Sequence, residues 1–248
     1  MTLLLVVFLA GIWAGVQNTL AGGGSFVTLP ALILSGMTPL AANITSTVAL
    51  FPGQITAGYA GRKLASGAGR VPFWALFVLS LVGGALGGLL LLHTSPDVFA
   101  RLVPWLVLFA TAVFTWGSFF RKPGAEGALH VGPGATAVAQ FVIGVYGGYF
   151  GGGIGILMMA ALTLAGQSAR NAGGTKNVLA GVMNASAVVL FVTSPELHWR
   201  QALVLAAGAV IGGLLGTLAL RRVNEKALRV AIVCIGVALT VGLFVKPL

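Results

Sequence analysis

GIWAGVQNTLAGGGS, residues 11–25, and GVYGGYFGGGIG, residues 144–155, are the stretches on which the fold turns. Each is apolar enough to lie in lipid, and each runs into three consecutive glycines, Gly22, Gly23 and Gly24 in the first and Gly151, Gly152 and Gly153 in the second. Consecutive glycines cost a helix most of its propensity and let the chain turn without a steric penalty. The apolar runs that follow, 26–34 and 156–165, hold about ten residues, or roughly 15 Å of helix, half of a hydrocarbon core about 30 Å thick. They read as half-helices whose N-termini start near the bilayer midplane.

The surrounding sequence admits only a membrane setting. Of 248 residues, 58% are hydrophobic and 7% are charged, with a mean hydropathy of +1.02. A soluble domain carries about a quarter charged residues. Apolar runs at 3–20, 26–34, 44–60, 72–92 and 98–120 fill the first half, and runs at 135–150, 156–165, 178–192, 202–220 and 227–245 fill the second. Residues 1–20 lack the basic n-region of a secretory signal and continue into more apolar sequence, so they read as the first membrane segment. The formal charge of +10 does not point to nucleic acid, because the basic residues sit in short connections without an aromatic-interleaved basic face. Cys234 lies in an apolar run, has no intrachain partner for a disulfide and reads as packing.

The two halves repeat each other at a separation of about 130 residues. The glycine triplets recur; GGALG at 83–87 recurs as GGLLG at 212–216; Thr45, Val48 and Gln54 match Thr175, Val178 and Asn184. Gly83, Gly87, Gly212 and Gly216 read as close helix packing, the triplets as breaks. The expected fold is an all-α polytopic membrane protein of two inverted repeats, each a broken-helix hairpin plus three transmembrane helices. The first repeat spans 1–122, the second 134–248, with a connection at 123–133.

Charge decides between parallel and inverted halves. If each triplet makes a hairpin that returns to its own face, three crossings follow and the second half is inverted. Arg62, Lys63, Arg70, Arg121, Lys122, Arg170, Lys176, Arg221, Arg222, Lys226 and Arg229 then share one face, leaving Arg101, Arg200 and Lys246 on the other. The rich face is expected to be cytoplasmic and both termini outside, in a bacterial inner membrane.

Two helix starts aimed at one depth supply unpaired N–H groups and partial positive charge, a site for a small anion. The expected contacts are the six triplet glycines, Asn18, Ser25, Thr45, Ser46, Gln54, Thr175, Lys176, Asn177 and Asn184, with Thr19, Thr28, Asn43, Tyr146 and Tyr149 nearby. Thr38-Pro39 reads as an N-cap, whereas Asn171, Gly173 and Gly174 read as the approach to Thr175. Lys176 either snorkels to the cytoplasmic surface or offers full charge to the anion. Gln54 and Asn184 either bond between helices or donate to substrate oxygens. Asp97, Glu126, Glu196, Glu225, His93, His130 and His198 all fall in connections or at helix ends, so no carboxylate relay, hydrolytic triad or metal cluster is expected, and no cofactor.

The glycine-rich breaks at 11–25 and 144–155, the polar helix starts behind them and the Gly-Gly-x-Leu-Gly strings resemble the TauE/SafE family of sulfite exporters, also called TSUP transporters. The resemblance spans essentially the whole chain and implies export of sulfite or an organosulfonate rather than an enzyme. One departure is Asn18-Thr19-Leu20-Ala21, less glycine-rich than its counterpart, which makes the two hairpins chemically unequal. An anion leaving a negative cytoplasm gains about 2.3 kcal/mol per charge per 100 mV, so export needs no coupling ion. The sequence also admits a carrier of a carboxylate or amino acid, a non-transporting accessory subunit, and a homo-oligomer.

Overall fold

Polarity sorts the helices before any contact is considered. The computed structural model describes the backbone of residues 2–20, 23–120, 131–219 and 225–245. These residues form ten α-helices and no β-strand: α1 (Thr2–Leu20), α2 (Ser25–Leu34), α3 (Pro39–Gly61), α4 (Phe73–Leu92), α5 (Pro96–Thr115), α6 (Pro133–Tyr149), α7 (Ile154–Leu164), α8 (Ala169–Phe191), α9 (Trp199–Ala219) and α10 (Glu225–Val245). A π-turn, Trp116–Phe120, continues α5. Spans Phe73–Leu92, Pro96–Phe119 and Trp199–Gly216 are long and apolar enough to cross a bilayer. α3 and α8 match them in length, 23 residues each, but carry polar side chains that lipid does not tolerate. They therefore lie inside: Asn43, Thr45, Ser46, Thr175 and Asn184 are all buried, while Trp74, Leu86, Leu90 and Leu203 of the apolar helices face outward.

Close approaches give the helix directions. Gly58 and Gly61 of α3 abut Asn177 and Gly174 of α8, and Gly181 meets Gln54, so these helices are antiparallel. By contrast α1 runs parallel to α9, with Gly11 against Leu205 and Ala209 and Gly15 against Ala209 and Gly213. α4 is parallel to α6 in the same manner, Gly83 facing Phe141 and Gly144, Gly87 facing Val145 and Tyr149. A Cβ at Gly83, Gly87 or Gly212 would fall on the neighbouring backbone, so packing is what these three glycines serve. α5 and α10 are antiparallel, since Thr111 meets Gly236 and the Arg229 guanidinium donates to the Ser118 carbonyl at 3.3 Å.

Local features recur 130 positions apart. Gly36 and Gly166 both take a left-handed φ, +94° and +95°, and close α2 and α7 with the same pattern: Met37 N–H to Leu32 and Gln167 N–H to Leu162. Thr38 caps α3 by accepting from Ala41 N–H at 3.2 Å, as the sequence predicts, and Ser168 caps α8 by accepting from Asn171 N–H at 3.3 Å. The second cap departs from expectation. Asn171, Gly173 and Gly174 lie inside α8 rather than before it, because Gly174 packs against Gly61 and Leu64 and the helix gains from extending across that contact. Lys176 consequently sits two turns into α8.

Crossed hydrogen bonds tie the halves together. Thr45 of α3 accepts from His198 N–H, in the turn after α8, at 3.3 Å, while Thr175 of α8 accepts from Ser66 N–H, in the turn after α3, at 3.1 Å. Gln167 adds donations to the Ser66 and Gly67 carbonyls at 2.8 and 2.9 Å. The turn carrying Arg62, Lys63 and Arg70 thus shares an end of the bundle with the α7–α8 turn and Arg170. Arg101 and Arg200 lie near the opposite end.

Candidate anion site at the second helix break

Both glycine clusters break their helices. Gly23 has φ +83° and Gly153 has φ +75°, values that L side chains avoid, and each accepts the first helical hydrogen bond of the segment that follows, from Phe26 and Ile156 at 3.0 and 3.1 Å. The structural equivalence therefore pairs Gly23 with Gly153 and Ser25 with Gly155, one position off the alignment of the triplets. Gly22 lies outside the described residues, as do Glu126, His130, Arg121, Lys122, Arg221, Arg222 and Lys246, and the side chains of Thr19, Glu225 and Lys226.

The breaks converge on α5. A Cβ at Gly23 would touch the Phe114 ring at 3.4 Å and one at Gly152 would touch Ala110 at 3.1 Å, so the two lie about one turn apart along α5. Neighbouring Thr111 contacts Gly236, near the middle of α10, which puts both breaks at mid-depth in the bundle. Between them Ser25 and Gly152 approach each other, but Phe26, Phe150, Val107 and Leu239 fill the space and leave only about 10 Å³. The breaks meet through apolar side chains and not through a polar chamber. A cavity that small holds at most one water.

At the first break side chains engage one amide and one carbonyl, while the N–H groups of Gly23 and Ser25 reach no acceptor among the described residues. Asn18 Oδ1 accepts from Gly24 N–H at 2.7 Å, and Gln17, fully buried, donates to the Gly23 carbonyl while accepting from Trp13 Nε1 at 3.1 Å. Ser46 Oγ and Thr28 Oγ1 share a 2.6 Å hydrogen bond that staples α2 to α3. Asn18 and Ser46, expected as ligand contacts, are thus engaged within the protein.

The second break has no side chain capping an amide as Asn18 does at the first. Among the described residues, the N–H groups of Gly152, Gly153, Ile154 and Gly155 reach no acceptor. Gly152, Gly153 and Ile154 are buried, where each unpaired donor costs about 1–3 kcal/mol. Tyr146 donates its hydroxyl to the Gly152 carbonyl at 2.8 Å, fixing the peptide plane that carries the Gly153 N–H. Asn43 Nδ2 holds the end of α6 through the Tyr149 carbonyl at 3.0 Å.

Lys176 occupies the position equivalent to Ser46. Its Cδ and Nζ are the atoms nearest a Cβ built on Gly155, both at 3.7 Å, and it is half-buried with no hydrogen-bond or ion-pair partner among the described residues. A lysine ammonium beside the positive end of a helix is a like-charge contact. An anion between them turns that repulsion into two attractions.

Other expected residues stay apart from this point. Thr45 and Thr175 spend their hydroxyls on the crossed turns, and Asn177 packs against Gly58 and Gly61. Gln54 Oε1 is buried without a partner at the α3–α8 crossing, and Asn184 is buried on the facing helix. Sequence reasoning missed Gln17, Gly155 and the α5 pair Ala110 and Phe114; only the spacing of Gln17 from Gly23 offered a signal. Among the described residues no group of three His, Cys, Asp or Glu side chains could hold a metal.

Broken helices at mid-depth, polar helices in the centre and apolar helices outside define a polytopic membrane transporter. The family model described as "Sulfite exporter TauE/SafE" matches residues 7–243, and the chain belongs to that family. It is similar to a "probable membrane transporter protein" of Haemophilus influenzae, 29% identical over 216 residues that cover 86% of this chain and 84% of the relative. It is also similar to the "probable membrane transporter protein YfcA" of Escherichia coli, 26% identical with 97% and 89% covered, and to ORF9 of a Sinorhizobium species, 29% identical with 99% and 94% covered.

Proposed function

We propose that this transporter carries a small oxyanion of sulfur, sulfite or an organosulfonate, out of the cytoplasm by alternating access between two inverted repeats. The observation that carries the reading is the run of unpaired amides from Gly152 to Gly155 with Lys176 beside Gly155 at its end. A sulfonate or sulfite group has three oxygens to accept several convergent N–H donors, and one charge or two to offset the ammonium. The antiparallel α3 and α8, the parallel α1 with α9 and the crossed Thr45 and Thr175 bonds support the inversion, because a two-fold axis in the membrane plane produces all of them. The gathering of Arg62, Lys63, Arg70 and Arg170 at one end supports that end as cytoplasmic, which places the termini outside in an inner membrane. The site is closed on its apolar side by Phe26 and Phe150, so substrate entry requires the halves to move.

Flux into proteoliposomes tests the proposal. Labelled sulfite is expected to move at least about tenfold faster than in empty liposomes, driven by a potential positive on the side it reaches. Sulfonates compete, whereas carboxylates and amino acids do not. Rates equal to empty liposomes for sulfite and for every sulfonate would remove the function, and stronger competition by carboxylates would replace the cargo.

A further inference from the structure

A cavity of about 460 Å³ opens at the far end of the bundle from the basic turns, between the α4–α5 and α8–α9 corners. Ile44 of α3 floors it, and Leu92, His93, Thr94, Thr193, Ser194 and Glu196 line its walls. Its chemistry is opposite in sign to that of the second break. α4 ends here at Leu92 and α8 at Phe191, while α5 starts here at Pro96, so the helix-end charges partly offset and the free carbonyls are the groups that remain. The carbonyls of Leu92, His93 and Thr193 accept no hydrogen bond among the described residues.

The side chains continue the pattern. Thr94 and Thr193 donate their hydroxyl hydrogens to the Leu90 and Leu190 carbonyls, at 2.7 and 2.8 Å; the Thr94 oxygen accepts from the Tyr149 hydroxyl at 3.3 Å, and the Thr193 oxygen is left as an acceptor. His93 Nδ1 lies 2.8 Å from the Leu89 carbonyl and donates to it, so Nε2 is the acceptor of the neutral ring. The Glu196 carboxylate has no hydrogen-bond or ion-pair partner among the described residues. Carbonyls, hydroxyl oxygens and one carboxylate are a hard-oxygen donor set, and a single negative charge suits a monovalent ion better than a divalent one.

We propose that this cavity binds a monovalent alkali cation, sodium in particular, with Glu196 supplying the charge and the α4 and α8 C-terminal carbonyls the remaining oxygens. The inference is independent of the anion proposed above, and its test contains no sulfur compound. Detergent-purified protein is melted in about 100 mM sodium chloride and in about 100 mM choline chloride, with Tm expected to be about 3 °C or more higher in sodium. Radiolabelled sodium is retained at equilibrium by the wild type and displaced by unlabelled sodium but not by choline. Glu196→Gln abolishes both effects while leaving the choline Tm within about 2 °C, and Glu196→Asp, which withdraws the charge by one methylene, weakens retention at least about fivefold. Equal Tm values in the two salts with no retained sodium overturn the site, as does either effect surviving unchanged in both variants.

Discussion

The two helix breaks share a local pattern and differ in how their backbone is satisfied. At the first, Asn18 takes the Gly24 amide, Gln17 takes the Gly23 carbonyl and Ser46 bonds Thr28. At the second, the Gly155 position faces a lysine in place of that hydroxyl, and four successive amides have no acceptor among the described residues. Both breaks have a left-handed glycine and both rest on α5, so backbone geometry does not separate them. What differs is the side chain facing the break. The first break is partly closed by Asn18 and Gln17, whereas the second, with four unpaired donors and a lysine beside Gly155, is where we propose that the anion binds.

Substitutions can break or sharpen this contrast. The largest expected effect is at Gly152→Val, whose branched side chain would press on the Phe150 ring and Ala110; flux should fall at least about 100-fold with membrane expression retained. A variant that transports normally means the second break is not the site. Lys176→Gln comes next, removing a charge-assisted contact worth about 1.5–3 kcal/mol, or roughly 10- to 100-fold in substrate affinity. Arg101→Gln, at the other end, serves as its control, and equal losses in the two would indicate a general charge effect. For Tyr146→Phe the carbonyl of Gly152 is released but nothing is placed in the site, so a roughly fivefold drop in kcat/KM is expected, with Tm lowered by about 2–4 °C. Smallest for transport are Asn18→Ala and Ser46→Ala. Each should lower Tm by about 2–4 °C, the loss of about 1 kcal/mol, with flux within twofold of wild type. A transport defect in these variants without a change in Tm would make the first break a ligand site too.

Gln54 sharpens the comparison from the centre of the bundle. Its Oε1 is buried without a partner where α3 crosses α8, while Asn184 holds the equivalent place on the other helix. Polar groups left unpaired at such a crossing cost stability in a single rigid state.

Much of the fold was legible because lipid makes a simple demand on sequence. Apolar runs of 20 residues had to be spans, and runs of ten behind glycine triplets had to stop halfway. The Thr38 cap was legible for the same local reason. The start of α8 was not: Asn171, Gly173 and Gly174 look like a loop until Gly61 and Leu64 are seen against them, since glycine marks both turns and close crossings. Nor could local pattern distinguish Thr45 and Thr175, which bond across the halves, from Lys176, which does not.

Composition and spacing by themselves determined that the chain lives in a membrane and that a helix is interrupted at each glycine cluster. Those properties depend on near neighbours and on solvent, and both are written along the chain. At one interruption Asn18 and Gln17 fold back from α1 onto the glycines and Ser46 of α3 meets Thr28, whereas at the other Lys176 of α8 meets Gly155. Only the tertiary structure could decide that, because an unpaired amide is defined by everything around it that fails to reach it.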